Sequence, residues 1–314
     1  MIITVTLNPS IDKTLRCDGA KPQTVFKAGS INTVSVVKVA PGGKGINVSR
    51  AVKRLGDSTI ALSIIGGETG RQIISGLEAE DIPLKYVPIN GESRMCYGII
   101  NGDETVINEA GPLVIGDVEG QFMELFRENV HNNDIVVISG SAIIGIAPEF
   151  YGRLVTTAKN LGAKVMVDLK GDNLKYAISA QPDIIKVNRT ELEGYFGYSI
   201  NQQSDLYNMA KELLSKGVES VIVTDGGGDV IGCNDNNSWI LTPPKVTVVN
   251  SWGSGDCVAG GFAFGLSIGK TFIEALRLGV ACGTTNTLVY GAGFINNEDV
   301  HRLIDEVIVK GNII

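Results

Sequence analysis

The chain has 314 residues, of which 44% are hydrophobic and 19% are charged, a composition typical of a folded globular protein and not of a disordered one. Its formal net charge is −7 and it contains no basic block, which argues against nucleic-acid binding. Its apolar stretches are too short and too mixed to cross a bilayer, so we expect no membrane association.

The cysteines and histidines limit the kinds of catalytic and metal sites that the chain can form. The five cysteines form no CxxC pair, so neither a zinc site nor a disulfide framework is indicated, and we expect a reduced, cytoplasmic location. The first seven residues read as a strand without a basic leader, which does not suit a signal peptide. The two histidines, His131 and His301, lie in polar contexts typical of the surface, so acid–base work is expected from Asp, Glu or Lys.

Two β-rich regions interrupt an alternating strand–helix pattern. Residues 13–40 and 84–110 contain short β-prone segments without helical periodicity, and residues 101–103 (NGD) predict a hairpin turn. We interpret them as one small sheet that acts as a lid on a core formed by residues 1–12, 41–83 and 111–314. Exposed edges of such a sheet favour a homodimer formed through the lid.

A glycine-rich turn lies between these regions, at residues 42–49 (GGKGINVS), before a predicted helix over residues 48–55. Backbone amides and a lysine at a helix start suit a phosphate or sugar hydroxyls. The spacing matches neither the dinucleotide fingerprint nor the P-loop. A nucleotide-dependent sugar oxidoreductase would need that fingerprint after the first strand, and residues 8–12 (NPSID) do not form one.

Regular α/β alternation follows and predicts a mostly parallel sheet covered on both faces. The strand-like runs cover residues 59–65, 135–139, 164–168, 183–187 and 220–224, and the helix-like segments cover residues 70–80, 117–130, 148–161 and 204–216. Polar residues lie at the ends of these strands, and Asp12 lies just beyond the end of the first strand, where ligands of open α/β sheets bind. Each alone is a plausible cap or turn residue, but together they indicate a site: Asp12, Ser139, Asp168, Lys186, Asn188 and Thr224.

The stretch at residues 250–261 (NSWGSGDCVAGG) connects a β-prone run, residues 246–249, to a helix that reaches Ile268. A small-residue turn at a helix start leaves unpaired N–H groups that suit an anion or a developing negative charge. Asp256 lies in the first helical turn, where an acid is also the ordinary structural choice. The residues alone leave both interpretations open. A small-residue helix at 275–290 permits either a flat ligand or tight packing, and a last helix is predicted at residues 297–309.

Two of these motifs carry a family resemblance. Residues 42–49 and 250–256 resemble the signatures of the ribokinase-like, PfkB-type carbohydrate kinases, and the resemblance covers nearly the whole chain. It implies an α/β fold, a ribokinase-like three-layer α/β/α core with a mostly parallel sheet and a small β-sheet lid. Residues 4–12 and 102–112 are similar to the hexose-phosphate branch, which holds 1-phosphofructokinase and tagatose-6-phosphate kinase. Residues 45–50 and 102–112 lean towards the former.

The resemblance implies ATP-dependent phosphorylation of a ketohexose monophosphate, fructose 1-phosphate above all. Asp256 would be the general base, and the amides of Gly253, Ser254 and Gly255 would form an anion hole. The sugar hydroxyls would be held by Asp12, Gly42, Gly43 and Asn47, and the phosphate on the sugar by Lys44, Arg94 and Ser139.

The nucleotide side is implied in the same way. Lys186 would contact the ATP phosphates, and Asn188 and Glu191 would hold Mg²⁺ through water. The ATP site would be lined by Thr224 and Gly226, with Ala281 and Asn286 beside the adenine.

Some positions depart from the family pattern. Val187 replaces a usual proline, Trp252 is bulky beside the anion hole, and Cys96 stands where asparagine is common in 1-phosphofructokinases. Tagatose-6-phosphate kinase therefore stays open as an alternative. 6-Phosphofructokinase and a non-catalytic sugar-phosphate sensor are weaker alternatives, the latter because Asp256 and Lys186 are both present.

Overall fold

Two β-sheets organise residues 1–17, 31–101 and 103–311, the part of the chain that the computed structural model describes. In chain order, the strands are β1 Ile2–Thr6, β2 Ser10–Cys17, β3 Val34–Gly42, β4 Thr59–Ile65, β5 Leu84–Pro88, β6 Arg94–Asn101, β7 Asp103–Asn108, β8 Ile135–Ser139, β9 Lys164–Asp168, β10 Ile184–Asn188, β11 Ser220–Thr224, β12 Val230–Asn234, β13 Ser238–Thr242 and β14 Ile308–Gly311.

The larger sheet has ten strands in the order β14-β13-β12-β11-β10-β9-β8-β1-β4-β5. Neighbouring strands are parallel from β5 to β11, and only β12, β13 and β14 are antiparallel. The central strands are nearly continuous apolar runs, because a parallel sheet is covered on both faces. The prediction of a mostly parallel sheet is confirmed.

Helices cover both faces of this sheet. They are α1 Lys44–Arg54, α2 Gly67–Ala79, α3 Val118–Asn129, α4 Glu149–Asn160, α5 Gly171–Ser179, α6 Arg189–Phe196, α7 Gln203–Ser215, α8 Ser254–Ser267, α9 Phe272–Asn286 and α10 Asn297–Ile304. Alternation along β8 sends Val136 and Ile138 towards α3 to α7, and Ile135 and Val137 towards α1, α8, α9 and α10. The expected three-layer α/β/α core is confirmed.

The smaller sheet has four strands in the order β3-β2-β6-β7. Its central strands β2 and β6 are parallel, while β3 and β7 flank them in antiparallel pairing. Beneath it, Ile11 of β2 packs with Ile73 and Leu77 of α2 in a separate apolar cluster. This sheet therefore stands over the carboxyl end of β1, where the chain passes directly from one sheet into the other.

Several boundaries differ from the sequence expectation. Residues 84–88, expected in the small sheet, form β5 and pair with β4 of the large sheet, where Val87 is buried. Residues 246–249 are not a strand, because Val246 and Val248 line a cavity instead of pairing. The last helix ends at Ile304, and β14 then pairs with β13. The short elements α5, α6, β12 and β13 were not predicted.

The turn expected at residues 101–103 includes Gly102, which lies outside the described residues, although β6 and β7 on either side of it pair antiparallel. Asp12 lies within β2, not just beyond the first strand. In the described ranges, none of the helices has the length and apolar character needed to span a membrane.

Candidate active site

Three cavities meet at the carboxyl ends of the parallel strands. A polar cavity of about 420 Å³ lies beneath the small sheet, and its lining includes Asn8, Asp12, Asn47, Arg94 and Glu109. A rim cavity of about 410 Å³ lies around the start of α8, and an apolar cavity of about 470 Å³ adjoins it near α9. The side chains shared by the polar cavity and the rim cavity form the wall between them: Lys44, Trp252 and Asp256.

Asp256 lies in the first turn of α8 and is 6% exposed. Its Oδ2 accepts a hydrogen bond of 2.8 Å from Nδ2 of Asn47, which lies in the first turn of α1. Burial raises the pKa of Asp256 from 3.8 to about 6; the neighbouring Lys44 opposes this shift and Asp168 adds to it. A carboxylate with such a pKa is suited to accept a proton near neutral pH.

A buried arginine fixes the orientation of Asn47. Nη1 of Arg50 donates to Oδ1 of Asn47 at 3.0 Å and to the carbonyl of Ala292 at 2.9 Å, while its Nε donates to Glu80 at 2.5 Å. Because Oδ1 of Asn47 is engaged by a donor, its Nδ2 must face Asp256. This role of Arg50 was not predicted from the sequence. An arginine three residues after Asn47 in an otherwise apolar helix could have indicated it.

A second charged network lies at the ends of β9 and β10. The two strands are parallel with Ile184 beside Met166, which brings Lys186 beside Asp168 on the face covered by α1 and α8. Nζ of Lys186 donates to Oδ2 of Asp168 at 2.7 Å, and Nζ of Lys44 donates to Oδ1 at 2.7 Å. One buried carboxylate therefore holds two lysines.

The same network includes Glu191, whose Oε1 accepts from Nζ of Lys44 at 3.0 Å. Burial alone would lower the pKa of Lys44, but Asp168 and Glu191 raise it well above the usual range. Burial would raise the pKa of Asp168, but Lys186 and Lys44 hold it below the usual value. Lys44 and Asp168 therefore stay charged near neutral pH. The sequence pattern marked Asp168 only as one of several polar residues at strand ends and did not indicate its role in this network.

The first turn of α8 leaves amides free at the junction, although the amide of Ser254, expected in the anion hole, donates to the carbonyl of Ser251 at 3.1 Å. Gly253 is the N-cap and has a left-handed conformation with φ of 81°. The first-turn amides of a helix lack partners within that helix, so Gly255 and Asp256 present theirs towards the rim cavity. A Cβ at Gly255 would lie 2.9 Å from Nζ of Lys186. This lysine therefore lies directly beside the amides, an arrangement that stabilises an anion.

In the polar cavity, Asp12 carries the second perturbed carboxylate. Burial raises its pKa from 3.8 to about 6, although a 2.5 Å hydrogen bond from Oγ of Ser10 opposes the shift. A Cβ at Gly42 would lie 2.0 Å from the Asp12 carboxyl group, so only glycine leaves room for it. Gly43 follows as the N-cap of α1 with φ of 106°, a conformation that favours glycine.

The polar cavity also holds polar atoms without partners. Oγ1 of Thr6 and Oδ1 of Asn8 are buried without a hydrogen-bond partner in the described part of the chain, and both residues line the cavity. Arg94 donates to the carbonyls of Asn8 at 3.1 Å and Glu109 at 3.2 Å. Unsatisfied acceptors, a carboxylate and a guanidinium fit a polyhydroxylated anion.

Lys44 and Ser139 differ from their expected roles on the substrate phosphate. Lys44 lines the polar cavity, but its ammonium is paired with Asp168 and Glu191 at the wall. Within residues 1–17, 31–101 and 103–311, Arg94 forms no ion pair with a carboxylate. Ser139 is 1% exposed and does not line the cavity, whereas Gly140 and Ser141 do.

Asn188 and Glu191 form a reciprocal capping box at the start of α6. Oδ1 of Asn188 accepts from the amide of Glu191 at 2.8 Å, and Oε2 of Glu191 accepts from the amide of Asn188 at 2.9 Å. Because these oxygens already accept hydrogen bonds, they are better suited to hold a metal ion through bound water than to ligate it directly. In the described ranges, no group of three or more His, Cys, Asp or Glu side chains is arranged to hold a metal ion.

The apolar cavity has the character of a site for a flat ring. It is lined by Thr224 and Gly226 and by apolar and small residues that include Pro243, Val246, Val280, Gly283, Thr284 and Thr287. Ala281 and Asn286 are fully buried and do not line it, which corrects their expected position. Asn286 instead donates from Nδ2 to the carbonyl of Trp252 at 3.0 Å.

Comparison with known proteins identifies the class. The family model described as pfkB family carbohydrate kinase matches residues 5–299, and the chain belongs to this family of sugar kinases. It is 34% identical over 307 residues to 1-phosphofructokinase of Bacillus subtilis (strain 168), a match that covers 98% of each protein.

Solved structures agree with this assignment. The phosphofructokinase-2 of Escherichia coli, in complex with potassium, is 28% identical with a TM-score of 0.89, and the match covers 97% of this chain and 98% of that one. A ribokinase from Thermotoga maritima is 22% identical with a TM-score of 0.77 over 97% of this chain and 99% of that one, a likeness that concerns the fold alone.

Proposed function

We propose that this kinase transfers the γ-phosphoryl group of ATP to fructose 1-phosphate, and that Asp256 removes the proton from the attacking hydroxyl. The observation that carries the proposal is the position of Asp256, which belongs to the wall between the polar cavity and the rim cavity. A hydroxyl held in the polar cavity would meet a phosphoryl group held in the rim cavity beside this carboxylate. Phosphoryl transfer requires mainly such positioning, together with positive charge around the transferring group.

The polar cavity supports a sugar that already carries a phosphate. Arg94 offers a guanidinium whose charge is not paired with a carboxylate in the described ranges, and guanidinium groups suit phosphate oxygens. Asp12, Asn47 and the partnerless acceptors of Thr6 and Asn8 would receive the sugar hydroxyls.

The rim cavity and the apolar cavity support ATP and Mg²⁺. Lys186 and the amides of Gly253 and Gly255 would surround the phosphates, whereas the amide of Ser254 is engaged by the carbonyl of Ser251. The apolar cavity would take the adenine. Asn188 and Glu191 would hold Mg²⁺ through water, and the ion would neutralise phosphate charge.

The small sheet would act as the lid. Its β2 and β6 carry Asp12 and Arg94, so a movement of this sheet would change the polar cavity and its access to water. Its outer strands expose several apolar side chains: Val36, Val39, Val106 and Ile107. A homodimer that covers them is our proposal for the assembly. Sedimentation at several concentrations tests it, and a monomer throughout would refute it.

A substrate panel tests the reaction itself. With ATP and Mg²⁺, ADP release should be measured for fructose 1-phosphate, tagatose 6-phosphate, fructose 6-phosphate, fructose and tagatose. We expect the highest kcat/KM with fructose 1-phosphate. A preference for tagatose 6-phosphate would assign the alternative substrate, and equal turnover of a free sugar would refute the role of Arg94. Turnover of none of them would leave the sensor function.

Substitution of Asp256 tests the mechanism. Asp256→Asn should lower kcat by about 10²–10⁴, the range typical of general-base catalysis, and leave nucleotide binding nearly intact. Asp172→Asn is the matched control, because Asp172 is an exposed acid in the first turn of α5. If Asp256 served only as a helix-start acid, the two variants would retain similar activity.

A further inference from the structure

We propose that the side chain of Trp252 couples the small sheet to the anion-binding amides, and that Trp252 is a positioning residue for phosphoryl transfer. This inference rests on the proposed function. Trp252 immediately precedes Gly253, the N-cap of α8, and its ring extends to the small sheet. The residue therefore connects the lid to the loop that is to receive the phosphoryl group.

The ring lies directly on the backbone of β6. A Cβ added at Gly98 would lie 2.3 Å from Cε3 and 2.7 Å from Cζ3 of Trp252, distances at which no side chain fits. Gly98 is buried in the strand and does not have a positive φ, so its lack of a side chain serves this contact and not an unusual backbone conformation. The glycine and the tryptophan thus form a complementary pair between the small sheet and the loop before α8.

The backbone of Trp252 is anchored in the opposite direction. Its amide donates to Oδ1 of Asn250 at 3.1 Å, and its carbonyl accepts from Nδ2 of Asn286 at 3.0 Å and from Nδ2 of Asn250 at 3.3 Å. Both asparagines are buried in the core. Since the main chain is held by the core and the ring by the small sheet, a movement of the small sheet acts on the main chain next to Gly253.

A second contact joins the same two parts of the molecule. Glu104 of β7 accepts hydrogen bonds from Ser251, at 2.9 Å from its amide and also from its hydroxyl. Two consecutive residues of the loop, Ser251 and Trp252, are thus held by two strands of the small sheet. The loop reaches its reactive geometry only with the small sheet in place. The amides therefore complete their alignment when the polar cavity is covered, which favours transfer to the sugar over transfer to water.

The contact is tested by fluorescence. Trp239 and Trp252 are the two tryptophans of the chain, so a Trp239→Phe background leaves Trp252 as the reporter. In that background, Gly98→Ala should increase quenching of Trp252 by acrylamide and shift its emission to the red. Gly194→Ala is the matched control, because a Cβ there meets no atom within 4 Å. Unchanged quenching in Gly98→Ala would overturn the contact, and this readout requires no substrate.

The coupling is tested by a double-mutant cycle. Gly98→Ala and Trp252→Ala should each lower kcat by about 10- to 100-fold, since small displacements of groups at a reaction centre cost that much. Combined, they should be no worse than Trp252→Ala alone, because the clash disappears with the ring. Multiplying effects would overturn the proposal.

Three further outcomes keep the test decisive. If Gly98→Ala fails to fold, the double variant should fold again, and its failure to do so would refute the Gly98–Trp252 pairing. In Gly98→Ala, the rate of ATP hydrolysis without sugar should rise, or should fall less than the rate of sugar phosphorylation. An equal loss of both rates would mean that the substitution only disrupts the loop, and it would refute the coupling. If the wild-type chain phosphorylates no sugar, the proposed function fails while the quenching result still decides the contact.

Discussion

The carboxylate of Asp168 offers the sharpest test of the charged network. Asp168→Asn keeps the shape of the side chain but replaces the carboxylate, which accepts hydrogen bonds from Lys44 and Lys186, by a neutral amide. Lys44 keeps Glu191 as a partner. Lys186, 2% exposed, forms its ion pair in the described ranges with Asp168, so its ammonium would be left buried without an ion-pair partner. Breaking a buried pair in this way costs about 3–5 kcal/mol.

This cost translates into a measurable shift in melting temperature. An unfolding entropy of about 2.1 cal/mol/K per residue gives about 0.7 kcal/mol/K for a chain of 314 residues. We therefore expect Asp168→Asn to lower Tm by about 5–8 °C. The KM for ATP should rise at least about tenfold, because Lys186 loses the group that holds it beside the amides.

Thermal unfolding by calorimetry and initial rates with varied ATP check both effects. Asp172→Asn, an exposed acid with a surface partner, should change Tm by no more than about 1–2 °C. Adding Lys186→Met to Asp168→Asn should recover stability but not activity, because the uncompensated charge is gone and the phosphate contact with it. A Tm for Asp168→Asn within 2 °C of wild type would refute the reasoning about the buried pair.

Other consequences follow from single groups of the site. Because burial raises the pKa of both Asp256 and Asp12 to about 6, kcat/KM for the sugar should fall with a slope near two as pH falls below 6; a slope of one would show that a single carboxylate controls the rate. Gly42→Ala should raise the sugar KM at least about tenfold with little change in that for ATP, since its Cβ would collide with Asp12; equal changes in both constants would contradict this. Arg50→Lys should lower kcat and cost about 2–4 kcal/mol in unfolding free energy, because lysine cannot bond Asn47 and its other partners together; wild-type Tm would contradict this.

The positions of several residues of the candidate site were predictable because these residues begin or end regular elements at one edge of a sheet. Asn47 and Asp256 are distant in the sequence, yet each lies in the first turn of a helix that starts at this edge, and the structure joins them by a hydrogen bond. The pairing of Lys186 with Asp168 could have been found as well. Both residues lie near the ends of neighbouring parallel strands, with side chains on the same face.

Other features depend on information that the sequence pattern does not carry. Helix α9 is buried on nearly every side, so no polar face sets its rotation, and the expectation for Ala281 and Asn286 fell on the wrong side. The sequence does not show whether the ammonium of Lys44 points towards neighbouring carboxylates or into the polar cavity. Only the three-dimensional arrangement decides this. Residues 84–88 form a strand that is too short to reveal from its pattern which sheet it joins.

The wall formed by Lys44, Trp252 and Asp256 has a thermodynamic consequence. Since the same three side chains face both the polar cavity and the rim cavity, a ligand that displaces any of them from one side changes the opposite cavity too. The affinities of the two substrates are then linked, and linkage is reciprocal: the factor by which sugar phosphate changes ATP affinity must equal the factor by which ATP changes sugar-phosphate affinity. The free energy of the ternary complex is the same whichever substrate binds first. A preferred order of binding would therefore reflect the rates of the individual binding steps.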